Sequence, residues 1–550
     1  MTPDRSAPAL RTVPTAPVPG QKPGTSGLRA RTVEAMQPNW IENLTQSILD
    51  VIAPGAGSSL VLGGDGRFFN DRAIQVLLKM AAANGVAHVA VARNGLLSTP
   101  SASAEIRHRR VDGGLILSAS HNPGGEDGDF GLKVNIANGG PAPEPVTDAI
   151  HRRTLELDVY RVLDAPDINL ASVGNTALGP MRVEVFDPVP RYVELMRSLF
   201  DFDAIRALFR SGFRMRFDAM HAVTGPYAQA LLEDELSAGP GTVVNATPKP
   251  DFGGRHPDPN PVHAADLVAE LFARGAPDFA AASDGDGDRN MILGRGICVG
   301  PSDSLAVLAA NAHLAPGYPD GPVGIARSMP TSRAADRVAR ALGIPCFETP
   351  TGWKYFATLL DAGRVTICGE ESAGTGSDHV REKDGLWAVL LWLNILAVRR
   401  RSVAELLGEH WARFGRDYYS RHDYEGVDPA AADAIIETLR RRLPELPGQT
   451  IEGLTVSHAG EFAYVDPVDG STSEHQGIRV SFGTEARAVF RLSGTGTSGA
   501  TLRVYLERFE APDPHRFDTP QAALARVTRA ADRISGLPGL LGRAGPDMRG

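Results

Sequence analysis

The chain has 550 residues, of which 42% are hydrophobic and 22% charged, so it is an ordinary globular composition and excludes whole-chain disorder. With 56 basic against 65 acidic residues the net charge is −9, which argues against a nucleic-acid coat. Cys298, Cys346 and Cys368 are too few and too scattered for a disulfide framework or a zinc site, and fit a reducing compartment. The length predicts several domains.

Met1–Gly20 is rich in Pro, Ala and Thr and lacks the apolar core of a secretory signal; it reads as a disordered start to a cytoplasmic protein. The body then alternates strands and helices. Leu60–Leu62 reads as a strand ending in Gly63-Gly64-Asp65-Gly66-Arg67, followed by a helix over about 71–84 and strands at Val86–Val91 and Gly114–Ser118. Strands follow at Phe213–Phe217 and Thr242–Asn245, a helix at His263–Arg274, and a strand at Phe279–Ala282. A helix at Ser302–Leu314, a strand at Val323–Ala326, a helix at Thr331–Leu342 and a strand at Val365–Cys368 precede a long helix from Gly385. The apolar run Leu386–Val398, interrupted by Asn394, falls short of the roughly 20 residues of a membrane span and reads as a buried helix. Such alternation predicts α/β units with substantially parallel sheets. After about Gly415, Ile478/Val480/Phe482 and Leu502/Val504/Leu506 alternate with polar residues, the period of a half-buried antiparallel sheet; a separate α+β domain is expected there, with a loose end from about Leu537.

Several segments carry chemistry. Ser118-Ala119-Ser120-His121-Asn122-Pro123-Gly124 follows a strand, where α/β sheets collect ligands; Ser120 is a candidate nucleophile and His121 a candidate proton carrier, against the plain reading of a turn. Asp284, Asp286 and Asp288 alternate with Gly285 and Gly287 at another strand exit. Three carboxylates so close repel unless a hard cation such as Mg²⁺ neutralises them. An EF-hand would need glycine where Arg289 stands and glutamate where Arg295 stands, so that rival fails. Arg491-Leu492-Ser493-Gly494-Thr495-Gly496, with Arg503 beyond, has the composition of a phosphate cradle, though a Gly/Ser/Thr hairpin is the alternative. Gly369-Glu370-Glu371-Ser372 and Pro350-Thr351-Gly352-Trp353-Lys354 are polar strand-end loops suited to sugar hydroxyls, weak signals when taken alone. Only six of the basic residues are lysines, and four of them (Lys22, Lys133, Lys354, Lys383) lie in motif-like segments, where a compact ammonium does what a guanidinium fork cannot. Together these parts imply phosphoryl transfer, which needs positioning and charge neutralisation.

The order and wording of these motifs, from Lys22-Pro23-Gly24-Thr25-Ser26-Gly27-Leu28-Arg29 through Asp251-Phe252-Gly253-Gly254 and Gly374-Thr375-Gly376-Ser377-Asp378-His379 to Arg491, resemble the α-D-phosphohexomutases, and within them the glucose-specific branch. The resemblance runs from about Gln21 to about Glu510. It implies three similar α/β domains with mixed sheets plus a C-terminal α+β domain around a central cleft: 21–194 with the phosphoserine loop, 195–300 with the metal loop, 301–415 with the sugar loop and 416–550 with the phosphate loop, after the 1–20 segment. It implies that Ser120 is the phosphorylated serine and, with Asp284, Asp286 and Asp288, a ligand of Mg²⁺. By the same likeness Arg29, His121, Lys133, Arg289 and Lys383 handle protons and charge at the transferring phosphoryl. Thr351, Gly352, Glu370 and Ser372 read sugar hydroxyls, and Arg491, Ser493, Gly494, Thr495 and Arg503 hold the non-reacting phosphate. The implied reaction interconverts α-D-glucose 1-phosphate and glucose 6-phosphate, with glucose 1,6-bisphosphate as intermediate and activator. The implied partner is a small sugar phosphate, with no nucleic acid or membrane. A mannose-preferring or dual-specificity mutase and a non-catalytic structural relative are the rival readings. Ser118 replaces the usual threonine, and Ala373 stands where glucose-specific members often carry an aromatic.

Overall fold

The computed structural model describes residues 8–24, 26–53, 57–493, 499–513 and 519–550. They fall into two units: Met1–Gly296 with Leu314–Pro319 and Ala373–Arg400, and Ile297–His313 with Asp320–Ser372 and Arg401–Gly550.

In the first unit the strands are, in chain order, β1 (Ala9–Pro14), β2 (Leu28–Arg31), β3 (Ser59–Gly64), β4 (His88–Leu96), β5 (Gly113–Leu117), β6 (Asp129–Ile136), β7 (Val159–Asp164), β8 (Gly174–Leu178) and β9 (Met181–Phe186). Seven of them form one mixed sheet in the order β2-β6-β5-β3-β4-β9-β8. β3, β4, β5 and β9 run parallel, while β2/β6, β5/β6 and β8/β9 are antiparallel. Every residue of β5 is buried, so the strand reads as a continuous apolar run rather than an alternating one. The helix Asn70–Ala83 covers the sheet with Ala73, Ile74, Leu77, Leu78 and Ala81, the three-and-four spacing that marked it in the sequence. A Cβ at Gly64 would lie 2.3 Å from the Leu117 carbonyl; only glycine lets β3 and β5 close up just where both chains leave the sheet.

A second sheet carries β10 (Met215–Asp218), β11 (Val243–Val244), β12 (Phe279–Ser283) and β13 (Asn290–Gly294), ordered β11-β10-β12-β13. β12 is parallel to β10 and antiparallel to β13, so the acidic segment is the reversal between β12 and β13. The helix Gly385–Arg399 packs against β12, β13 and the helix Phe202–Arg210. The Asp384 side chain caps it, accepting the Trp387 N–H at 3.0 Å, a contact worth about 1 kcal/mol. The expected span 301–415 is thus shared: residues 373–400 belong to the first unit.

In the second unit, Cys346–Thr349, Ile325–Ser328 and Ile367–Gly369 are adjacent parallel strands. The strand expected from Val323 begins at Ile325 because the Val323 N–H bonds the Thr366 hydroxyl instead of a ladder carbonyl. A six-stranded antiparallel sheet follows, ordered His458–Glu461, Ile478–Phe482, Ala486–Ser493, Ala500–Glu510, Arg416–Val427, Met548–Arg549. Ile478, Val480, Phe482, Leu502, Val504 and Leu506 share one core with residues of helices Pro429–Arg442 and Pro520–Ser535, as their alternation predicts.

Two expectations of disorder fail. Within Met1–Gly20, Ala9–Pro14 is a strand paired with β7 over its whole length; its side chains are mostly exposed, so backbone bonds hold it and no apolar pattern announces it. Beyond Leu537 the chain forms a short helix, Leu537–Leu541, and a terminal strand that pairs with Arg416–Val427.

Candidate active site

The loop after β5 is fixed before any ligand arrives. Ser120 is buried with φ of 52°, a left-handed conformation that costs a non-glycine residue about 1 kcal/mol. Its neighbours over-determine it. The Ser118 hydroxyl accepts the Ser120 N–H at 2.7 Å and donates to Asp65 at 2.6 Å. Arg67, wholly buried, pairs with Asp65 at 2.9 Å and donates to the Ser120 carbonyl at 2.7 Å and the Asp129 carbonyl at 2.8 Å. Asp65 and Arg67 were not among the residues picked from the sequence. Their signal was the Asp-Gly-Arg stretch at the exit of the strand beside β5. A Cβ at Gly285 would come within 2.4 Å of the Ser120 carbonyl, so that glycine lets the acidic loop lie against the serine loop.

The Ser120 hydroxyl donates to Asp284 Oδ2 at 2.8 Å and lies 3.4 Å from His121 Nδ1. Asp284 Oδ1 accepts the N–H groups of Asp288 and Arg289 at 2.9 and 3.0 Å, which curls the loop so that Asp284, Asp286 and Asp288 each bring an oxygen within 4.8 Å of the others. All three are buried. Asp286 is bonded by Lys133 Nζ and by the Thr99 hydroxyl, and Lys133 also reaches Asp288 at 3.1 Å. Lys383 lies 3.4 Å from Asp288. Asp286 Oδ1 and Asp288 Oδ1 are buried with no hydrogen-bond partner among the described residues. Burial, then the charges of Asp288 and Asp286, push the Asp284 carboxyl well above the usual range. Asp286 stays below it: burial opposes its charge, but Lys133 more than offsets that. Lys133 is raised in turn, against burial, by Asp286 and Asp288. An all-oxygen set with orphaned lone pairs and mutually repelling carboxyls fits a hard divalent cation.

Arg29, on β2, donates to the Asn122 side chain at 3.1 Å; burial and Arg289 lower its pKa. Arg289 faces Asp258 at 3.5 Å. The structure therefore gathers Arg29, Ser120, His121, Lys133, the three aspartates, Arg289 and Lys383 in one region of the first unit. Thr99, missed in the sequence, opens the helix Thr99–Arg109 and also gives its N–H to the Asp286 carbonyl at 2.9 Å. Glu382, also missed, accepts from Asn135 at 2.9 Å and is raised to about 7 by burial, with Lys133 opposing.

The remaining expected residues lie in the second unit. Glu370, at the exit of the strand Ile367–Gly369, accepts the Gly352 N–H at 2.9 Å, so it ties its loop to the 350–352 turn. The Thr351 hydroxyl is buried without a hydrogen-bond partner among the described residues, and Ser372 is half-buried. Arg491 and Arg503 are direct cross-strand partners, with Ser493 two residues along. Like charges placed opposite each other destabilise a sheet unless an anion lies between them. Asp423 lies 3.6 Å from Arg503 and is itself raised by burial. Gly494 and Thr495 fall outside the described residues.

Comparison with known proteins identifies the family. Models of the phosphoglucomutase/phosphomannomutase α/β/α domains I, II and III match residues 20–161, 190–296 and 301–414, and that of the phosphoglucomutase-1 C-terminal domain matches 416–547. A phosphoglucomutase of Rhizobium radiobacter is 57% identical over 96% of this chain and 97% of its own. One from Schizosaccharomyces pombe is 48% identical over 98% and 100%. The crystal structure of the exocytosis-sensitive phosphoprotein pp63/parafusin of Paramecium, a phosphoglucomutase in its open form, is 45% identical, covers 100% of both chains and superposes with a TM-score of 0.91. On these grounds the chain belongs to the phosphoglucomutase/phosphomannomutase family.

Proposed function

We infer that this chain is an isomerase with phosphoglucomutase activity, interconverting α-D-glucose 1-phosphate and glucose 6-phosphate through a phosphoserine at Ser120. The observation that carries the reading is the Ser120 hydroxyl 2.8 Å from a buried carboxylate triad flanked by two lysines. Asp284, Asp286 and Asp288, with Ser120, would hold Mg²⁺, which neutralises charge on the transferring phosphoryl. The chain's own groups do the rest. Asp65 and Arg67 hold the Ser120 backbone where its oxygen meets the substrate. Lys133, Lys383, Arg29 and Arg289 offset the charge that builds during transfer. His121, beside Ser120, carries the proton of the attacking sugar hydroxyl.

Phosphoserine donates its phosphoryl to the free hydroxyl of the sugar phosphate, giving glucose 1,6-bisphosphate and a free Ser120 hydroxyl. The bisphosphate reverses, and its other phosphoryl returns to Ser120. In this reading Thr351, Gly352, Glu370 and Ser372 read sugar hydroxyls in both orientations, and Arg491, Ser493, Gly494, Thr495 and Arg503 hold the phosphate not in transfer. The four spans 21–194, 195–300, 301–415 and 416–550 are the domains that carry these parts. Two relatives are named as cytoplasmic enzymes, and no helix among the described residues is long and apolar enough to cross a membrane; we place the activity in the cytoplasm.

The test is turnover of glucose 1-phosphate and mannose 1-phosphate by the full chain, with Mg²⁺ and a trace of the matching bisphosphate. Fast turnover of glucose 1-phosphate alone is expected. Equal turnover of both overturns the specificity, and turnover of neither by phosphorylated, folded chain overturns the activity.

A further inference from the structure

Away from the aspartate triad, the first unit gathers a second set of ligand-type side chains. His256, Asp258 and His263 each bring one ligand atom within 4.8 Å of the others. All three are half-buried, on the stretch that leads into the helix Ala265–Phe272. The imidazoles of His256 and His263 stack, with centroids 4.3 Å apart and planes 21° from parallel. His256 Nδ1 is closed off from water and has no hydrogen-bond partner among the described residues. Asp258 Oδ2 accepts from the Asn260 side chain at 2.8 Å, and its Oδ1 faces Arg289 at 3.5 Å.

A buried ring nitrogen left without a partner is a costly state unless something occupies it. The donors at hand decide what that is. Two imidazoles and one carboxylate form a borderline nitrogen-rich set, which selects Zn²⁺, Co²⁺ or Ni²⁺ over Mg²⁺. The aspartate triad has only oxygens and prefers the opposite. We propose that His256, Asp258 and His263 form a binding site for one divalent transition-metal ion, distinct from the triad, and that filling it slows turnover.

The site needs a small rearrangement to close. Donors on one tetrahedral ion sit roughly 3–3.5 Å apart, and parallel rings do not aim both lone pairs at one point. Turning one imidazole out of the stack meets both demands. The slowing has a direct route. An ion that takes Asp258 draws its charge from Arg289, which directly follows Asp288, and His256 sits with its ring centroid 6.3 Å from that of His121. The binding site stands on its own donors; the effect on turnover rests on the activity proposed above.

The experiment is equilibrium dialysis of the full chain against Zn²⁺ with Mg²⁺ in large excess, followed by elemental analysis, with visible absorption of the Co²⁺ form as a second readout. Wild type is expected to retain one Zn²⁺ per chain and to show Co²⁺ d–d bands of an imidazole-ligated site. His263→Ala, with His263→Gln as the gentler variant should the first fold poorly, is expected to weaken retention about 10- to 100-fold, while Asp286→Ala keeps it. Retention unchanged in both His263 variants, or lost in Asp286→Ala, overturns the site. Basal turnover of His263→Gln should match wild type while its Zn²⁺ inhibition moves to about tenfold higher concentration. Equal inhibition of the two removes the coupling. Zn²⁺ retention by a chain with no mutase turnover would leave the site standing and sink the function.

Discussion

Two clusters of acid and base use the same residue types to opposite ends. In the first unit, Asp284, Asp286 and Asp288 crowd together with two lysines, and two of their oxygens have no hydrogen-bond partner among the described residues. In the second, Glu348 takes Arg327 at 3.0 Å and Arg479 at 2.8 Å, and Glu507 takes Arg487 at 2.5 Å and Arg333 at 2.8 Å. Glu348 and Glu507 are both held down to about 2: burial opposes their charge, but the arginines win. Where guanidinium forks meet every carboxylate oxygen, the cluster is a joint between strands and helices. Where compact ammoniums leave oxygens over and the carboxyls repel, the cluster waits for a cation. Charge is common to these two clusters; the unfilled carboxylate lone pairs are what set them apart.

Substitutions can break this contrast. Ser120→Ala, beside the receptive cluster, is expected to cut turnover by at least about 10⁴-fold without changing the thermal midpoint, read by coupled assay and calorimetry. Asp286→Ala should lower turnover about 10³-fold and flatten the Mg²⁺ titration; an unchanged titration would move the cation elsewhere. Glu507→Gln is the mirror case. It takes the carboxylate charge from Arg333 and Arg487, although Arg487 keeps Glu348 at 3.3 Å, and should cost about 1.5–3 kcal/mol of stability in denaturant unfolding, with the Mg²⁺ titration unmoved. Lys383→Met should slow turnover about 10–100-fold, against no change for the remote Lys79→Met.

Acid sharpens the comparison further. Because Glu348 and Glu507 have folded pKa values near 2 against an ordinary 4.5, their stabilisation is complete above about pH 4.5 and is lost as pH falls towards 2. Unfolding followed at pH 6, 4 and 3 should weaken most for the second unit, and less steeply in Glu507→Gln.

Much of the triad was legible because chemistry that needs three carboxylates at a strand exit writes itself as Asp-Gly-Asp-Gly-Asp. The α/β alternation was equally plain, since each strand and helix carries its own period. What stayed hidden was held by long-range or backbone contacts. Asp65 and Arg67 act on Ser120 from a different strand, so the Asp-Gly-Arg stretch at its exit marks a turn but not what it holds. Thr99 looks like an ordinary helix start until its hydroxyl meets Asp286. Ala9–Pro14 pairs through its backbone and leaves its side chains in solvent, so composition reads it as disorder. Arg491 and Arg503 were both legible as phosphate holders, but only the strand register sets them directly opposite each other.

The central claim is that Ser120 carries the phosphoryl group. Intact and peptide mass spectrometry of wild type and Ser120→Ala, after incubation with glucose 1,6-bisphosphate and Mg²⁺, tests it most directly. One added phosphate on the Ser120 peptide of wild type, removed by glucose 1-phosphate and absent from the variant, is the predicted result. A phosphate on another residue, or equal labelling of the variant, would contradict it.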